Sequence, residues 1–98
     1  IGGENNTAVQ LTELTFSVQP NPVNDKLLIN FTAINNERGK IELYNYLGEK
    51  IVVIFNGDIA TGESRQFAVN TEKLPDGIYF TVLQTSRERR IIKIAKIH

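Results

Sequence analysis

His98 is the one imidazole in a chain of 98 residues, and there is no cysteine. Nucleophilic catalysis needs a hydroxyl or thiol beside a base, so Ser-His-Asp and Cys-His arrangements lack their parts. His98 is also the last residue of the sequence, where fraying is the expectation. Ser17, Ser64 and Ser86 have no motif around them. The eleven carboxylates are scattered over outward faces and turns. Glu42, Glu49 and Glu63 read as solvated surface, not as the facing pair that acid–base hydrolysis requires. Asn56-Gly57-Asp58 resembles the start of a calcium loop, but the regular series of further oxygen ligands does not follow. No glycine-rich phosphate loop opens onto a helix. No catalytic residue, metal site or cofactor is expected, and the enzyme class is set aside.

Chemistry of recognition is better supplied. Lys plus Arg and Asp plus Glu both number 11, yet they are unevenly placed. The first 25 residues hold Glu4, Glu13 and Asp25 and no cation; residues 85–98 hold Arg87, Arg89, Arg90, Lys93 and Lys96 against Glu88. One reading is a basic end that meets a partner, through Arg89, Arg90, Ile92, Lys93, Ile94 and Lys96. The plain alternative is a strand with a solvated face. Nucleic acid is not the expected partner, because the whole chain is neutral and no aromatics interleave with the basic residues.

The elements that must position this end are strands. Residues 1–13 are polar and glycine-containing and read as a linker or lead-in to a domain at 14–98. Leu14, Phe16 and Val18 then alternate with polar residues. Pro20-Asn21-Pro22 makes a stiff corner, since each ring fixes φ and restricts the residue before it. Leu27, Ile29 and Phe31 define the next strand. A turn cluster at Asn35–Gly39 precedes a strand through Ile41 and Leu43. A tight hairpin at Asn45–Gly48 follows, where Gly48 is free to take positive φ. Ile51–Phe55 is apolar on both faces, which fits a strand covered on both sides or one that meets a partner. Asn56-Gly57-Asp58 is predicted as a turn, Gly62–Asn70 as a strand and Thr71–Asp76 as a crossover. For Ile78–Leu83 either Ile78, Phe80 and Val82 or Tyr79, Thr81 and Leu83 point inward.

Nowhere does helical spacing persist beyond a turn. The pattern predicts an all-β, immunoglobulin-like β-sandwich of about seven antiparallel strands. Tyr79 stands early in the penultimate strand, where such folds bond a tyrosine hydroxyl back to the preceding corner; Gly77 gives that corner its freedom. No apolar run approaches the roughly 18 residues of a membrane span. The start at Ile1 predicts a fragment of a longer protein, with any export leader upstream.

Four segments in order carry a resemblance: Pro20-Asn21-Pro22-Val23, Ile41-x-Leu43-Tyr44-Asn45-x-x-Gly48, Leu74-Pro75-Asp76-Gly77-Ile78-Tyr79-Phe80, and the isoleucine-rich end with Lys93 and Lys96. Together they look like the C-terminal sorting domain of cargo proteins exported by the type IX (Por) secretion system of Bacteroidetes. The resemblance covers residues 14–98. It implies a domain covalently attached to an upstream cargo and recognised by the type IX secretion machinery. Removal by a sortase-like peptidase and attachment of the cargo at the cell surface would follow. Localisation would be the periplasm in transit, then the cell surface or the medium. The extra Ile97-His98 after the last lysine departs from the family pattern. The terminal strand Arg89–Ile97 is expected near a sheet edge, where free backbone groups or charge would be read. A generic immunoglobulin-like accessory module that binds carbohydrate or protein is the alternative, with Tyr44 and Tyr46 as its sugar-stacking candidates.

Overall fold

Period-two alternation and frequent turn residues resolve into seven strands in the computed structural model, which describes residues 14–98. They are β1 (Thr15–Gln19), β2 (Lys26–Thr32), β3 (Glu37–Asn45), β4 (Lys50–Ile59), β5 (Ser64–Asn70), β6 (Gly77–Thr85) and β7 (Arg89–Lys96). The expected lead-in at 1–13 lies outside the described residues. The strand pairings are antiparallel and build two sheets, β1-β2-β5 and β4-β3-β6-β7. The sheets pack as an immunoglobulin-like sandwich. Leu27, Ile29 and Phe31 of β2 meet Ile41 and Leu43 of β3, Leu83 of β6 and Ile94 of β7 in one core.

The register of β6 is settled by its neighbour. Tyr79, Thr81 and Leu83 stand opposite Asn45, Leu43 and Ile41, and all three are buried. Tyr79 Oη donates to the Pro75 carbonyl at 2.6 Å, which closes the corner between the two sheets. Gly77 has φ of 151° in that corner, a backbone that a side chain would strain. Burial raises the Tyr79 phenol above its ordinary pKa. Gly48, with φ of 82°, turns the β3–β4 hairpin. Asn45 fixes that turn: its Oδ1 accepts from the amides of Leu47 and Glu49 at 3.0 and 2.9 Å.

Three local expectations are corrected. Asn56-Gly57-Asp58 is strand, not turn, because β4 continues to Ile59 with Gly57 opposite Gly39. The Phe55 ring compensates for the missing side chains. A Cβ on Gly57 would touch it at 3.4 Å, and one on Gly39 would reach it at 3.8 Å. The turn cluster at Asn35–Gly39 is likewise shorter, since Glu37–Gly39 already pair with Gly57–Ile59. Ile51–Phe55 is not covered on both sides. β4 is an edge strand interrupted by two irregularities, at which Ile54 and Ile51 have no partner on β3. The strand therefore twists, and Ile51, Val52 and Val53 stay exposed.

Pro20-Asn21-Pro22 sits where the chain leaves β1 in one sheet and reaches the free side of β7 in the other. Val23 N donates to Ala95 O at 2.8 Å, and Ile97 N donates to Val23 O at 2.9 Å. Asn21 continues the pattern with its side chain. Nδ2 donates to Lys93 O at 3.2 Å, and Oδ1 accepts from Ala95 N at 3.0 Å.

Tyr79→Phe removes one hydroxyl bond and is expected to cost about 1 kcal/mol; an unchanged urea midpoint would argue against the corner bond. Asn21→Ala should also cost about 1 kcal/mol, since the freed groups on an open edge are rehydrated. Amide exchange at Ala95 reads that loss directly and should accelerate.

Candidate functional site

β7 forms one edge of the four-stranded sheet, as its place at the end of the sequence suggested. Its alternation divides the six residues expected to meet a partner. Arg90, Ile92, Ile94 and Lys96 pair with Leu83, Thr81, Tyr79 and Gly77 and share their inward side. Ile94 belongs to the core, Ile92 packs against it, and Arg90 is bound to Glu88 at 2.6 Å. Lys96 is only 1% exposed; its Nζ comes 3.5 Å from His98 Nε2. His98 Nδ1 in turn contacts Asp76 Oδ1. One tautomer serves both contacts, with Nδ1–H donating and Nε2 accepting. Arg89 and Lys93 are exposed on the opposite side, with Ile91 between them at 54% exposure. The basic charge of the strand is thus two-sided.

The free edge of β7 is shorter than the strand. Asn21 and Val23 occupy the backbone groups of Ala95, the carbonyl of Lys93 and the amide of Ile97. Only the Arg89–Lys93 half remains for backbone pairing. The motif residues therefore converge. Asn21 and Val23 strap β7 on one side, while Gly77 and Tyr79 pair with Lys96 and Ile94 on the other. Asn45 pairs with Tyr79, which brings the Gly48 hairpin to the same end.

Ile91 was missed by sequence reasoning. Its signal was the same alternation as Lys93, but alternation does not say which side faces solvent. Ile91 belongs to a surface laid out by register. Across β3, β6 and β7 the rows are Tyr44–Phe80–Lys93, Glu42–Val82–Ile91 and Lys40–Gln84–Arg89. Lys50 of β4 lies beside Tyr44. Tyr44, Phe80, Val82, Ile91, Gly48 and Arg89 line an open depression of about 380 Å³ on this outer face.

Glu42 lies beneath the cations of that face with a side chain only 5% exposed. Its Oε1 accepts from Tyr44 Oη at 2.9 Å and lies 3.7 Å from Lys40 Nζ. Lys50 Nζ lies 2.8 Å from Oε2, close enough for an ion pair though off the hydrogen-bond axis. Lys50 is the main reason that the carboxyl is held below its ordinary pKa; burial opposes it, and Tyr44 and Lys40 assist. The same bond raises the Tyr44 phenol. Glu42 is therefore a structural anion, not the solvated surface residue expected from the sequence.

The two sugar-stacking candidates do not form a platform. Tyr44 is half-buried and bonded to Glu42, whereas Tyr46 stands 74% exposed on the hairpin tip. A larger groove of about 600 Å³ opens between β4 and β5, lined by Ile51–Ile54, Phe67, Val69 and Leu74. Among the described residues no group of three or more His, Cys, Asp or Glu side chains is arranged to hold a metal ion. No helix among them is long and apolar enough to cross a membrane.

The model of the family described as "Secretion system C-terminal sorting domain" matches residues 17–97. No curated protein matches the chain. Among solved structures, the crystal structure of dimeric latent PorU from Porphyromonas gingivalis is similar in fold. The TM-score is 0.62 at 13% identity, over 95% of this chain and 10% of that one. The chain thus corresponds to about a tenth of that protein's length.

The Glu42 network has a pH signature. A carboxyl whose pKa is lowered by folding contributes stability above its unfolded value, and that contribution is lost as pH falls through the folded value. Melting temperature should therefore decline on acidification below about pH 4. Glu63, held low chiefly by Arg65, adds to the same decline. Glu42→Gln should melt lower than the parent at pH 7, and the gap should narrow in acid. A gap independent of pH would remove the charge from the explanation.

Proposed function

The chain belongs to the family of secretion-system C-terminal sorting domains, and from that premise we propose that it directs a larger cargo protein across the outer membrane by the type IX secretion system. On this reading the cargo is covalently upstream. It passes through the periplasm and reaches the cell surface or the medium. The secretion machinery recognises the folded domain, and a sortase-like peptidase then removes it as the cargo is attached at the surface.

The convergence of the motif segments on β7 is the observation that supports this reading most directly. A sorting signal has to be read while a folded cargo hangs from it, so it needs a rigid frame. Asn21, Val23, Gly77 and Tyr79 all act on the geometry of the last strand. In this proposal Arg89 and Lys93 meet the machinery. Arg90, Ile92, Ile94 and Lys96 hold the strand in place from inside.

Deleting Arg89–His98 from the parent protein should leave the cargo in the periplasm; normal secretion of the truncated protein would overturn the proposal. Lys93→Ala and Lys96→Ala separate reading from folding. Lys93→Ala should lower secretion while the domain stays protease-resistant. Lys96→Ala should lower protease resistance itself, because the stem of Lys96 is buried.

A further inference from the structure

We propose that the outer face of the β4-β3-β6-β7 sheet docks an acidic protein surface, which inserts an apolar side chain among Tyr44, Phe80, Val82 and Ile91. The inference rests on the sorting reading and specifies what the domain shows to its receptor.

Charge complementarity carries it. Arg89 lines the apolar depression, and register places Lys93 beside Phe80, Lys50 beside Tyr44 and Lys40 in the row of Arg89. Glu42 is the acid within those rows, and it is buried and shared by Lys40, Lys50 and Tyr44. Its single charge leaves the lysine pair with a positive excess. Arg89 and Lys93 have no ion-pair partner among the described residues. The nearby acids are engaged elsewhere: Glu49 with Asn45 at the hairpin tip, Glu88 with Arg90, and Asp58 with Arg38. An occupant must therefore bring negative charge around an apolar centre.

The same features select among occupants. A second copy would oppose one basic rim to another, and like charges in register are repelled. An anionic lipid surface would meet the cations, but Tyr44, Phe80 and Val82 line a depression and do not project towards an acyl boundary. An apolar centre inside a charged rim is the anatomy of a protein interface, with aromatic and Arg residues enriched in it. Strand spacing near 4.8 Å makes the face roughly 300 Å². That is well short of the roughly 800 Å² per partner of a stable complex, which fits an encounter that must release its cargo.

The test uses the full-length parent protein in exporting cells. Arg89→Glu with Lys93→Glu should reduce secreted cargo about tenfold or more, because attraction becomes repulsion. Arg89→Lys with Lys93→Arg keeps the charge and should recover most of the secretion that the double-glutamate variant loses. Thr15→Glu with Ser17→Glu, on the exposed side of the other sheet, should also secrete normally. Protease resistance of the attached domain verifies that each variant folds. A photo-crosslinking residue at Ile91 should capture a protein whose contacting surface is acidic. The adduct should vanish in the double-glutamate variant and return when acids of that identified surface are changed to lysine. Adducts only to lipid, only to a second copy, or to none would overturn the docking face. So would normal secretion of a folded double-glutamate variant. If deletion of the whole domain leaves secretion intact, the sorting reading fails. If deletion blocks secretion while the face variants pass, only the docking face fails.

Discussion

The four hydrogen bonds that Asn21 and Val23 make along β7 are the constraint on which the rest depends. An edge strand has a row of backbone groups left unpaired on its open side. Here the peptide groups from Lys93 to Ile97 are taken up by a corner more than seventy residues earlier. The strap also joins the two sheets, since the same short segment follows β1 in one and pairs with β7 in the other. A contact so distant in sequence carries a large loop-closure cost, which pairing of the intervening strands reduces. The frame is complete only when both ends are in place.

That arrangement changes the meaning of the motif residues. Pro20, Asn21, Pro22, Gly77 and Tyr79 have the look of a recognition sequence, and they are fixers of backbone geometry. Gly77 supplies a φ that other residues resist, Tyr79 closes a corner, and Asn21 imitates a strand. On the proposed reading, recognition is left to residues whose identities are less distinctive, Arg89, Ile91 and Lys93 among them. The edges are managed in keeping with this. β7 is half covered, and β4 is bent at Ile51 and Ile54, which discourages pairing between molecules.

Electrostatics on the outer face follow from one buried acid. Glu42 draws Lys40, Lys50 and Tyr44 into a fixed cluster over the middle of the sheet. The cluster is positive in sum. Arg89 and Lys93 extend that field to the edge without being consumed by it. A depression among Tyr44, Phe80, Val82 and Ile91 gives the field an apolar centre.

The sequence alone determined the class of fold, the number of strands and the corner at Pro20–Pro22, because period two and φ-restricted residues act locally; it suggested the tyrosine bond but left open the register that makes it. It also marked β7 as the informative strand. Which side of β7 faces water was decided only by the second sheet. Arg90 and Lys93 are equally basic on paper, but register with β6 puts Arg90 on the side that faces the other sheet and Lys93 on the outer side. Glu42 looked like any surface acid until β4 folded back with Lys50. The glycine pair Gly39 and Gly57 read as turn until Phe55 covered both. For Arg90, Glu42 and Gly39 the deciding partner lies on another strand, and a side chain has no way to declare its neighbour before the strands and sheets come together.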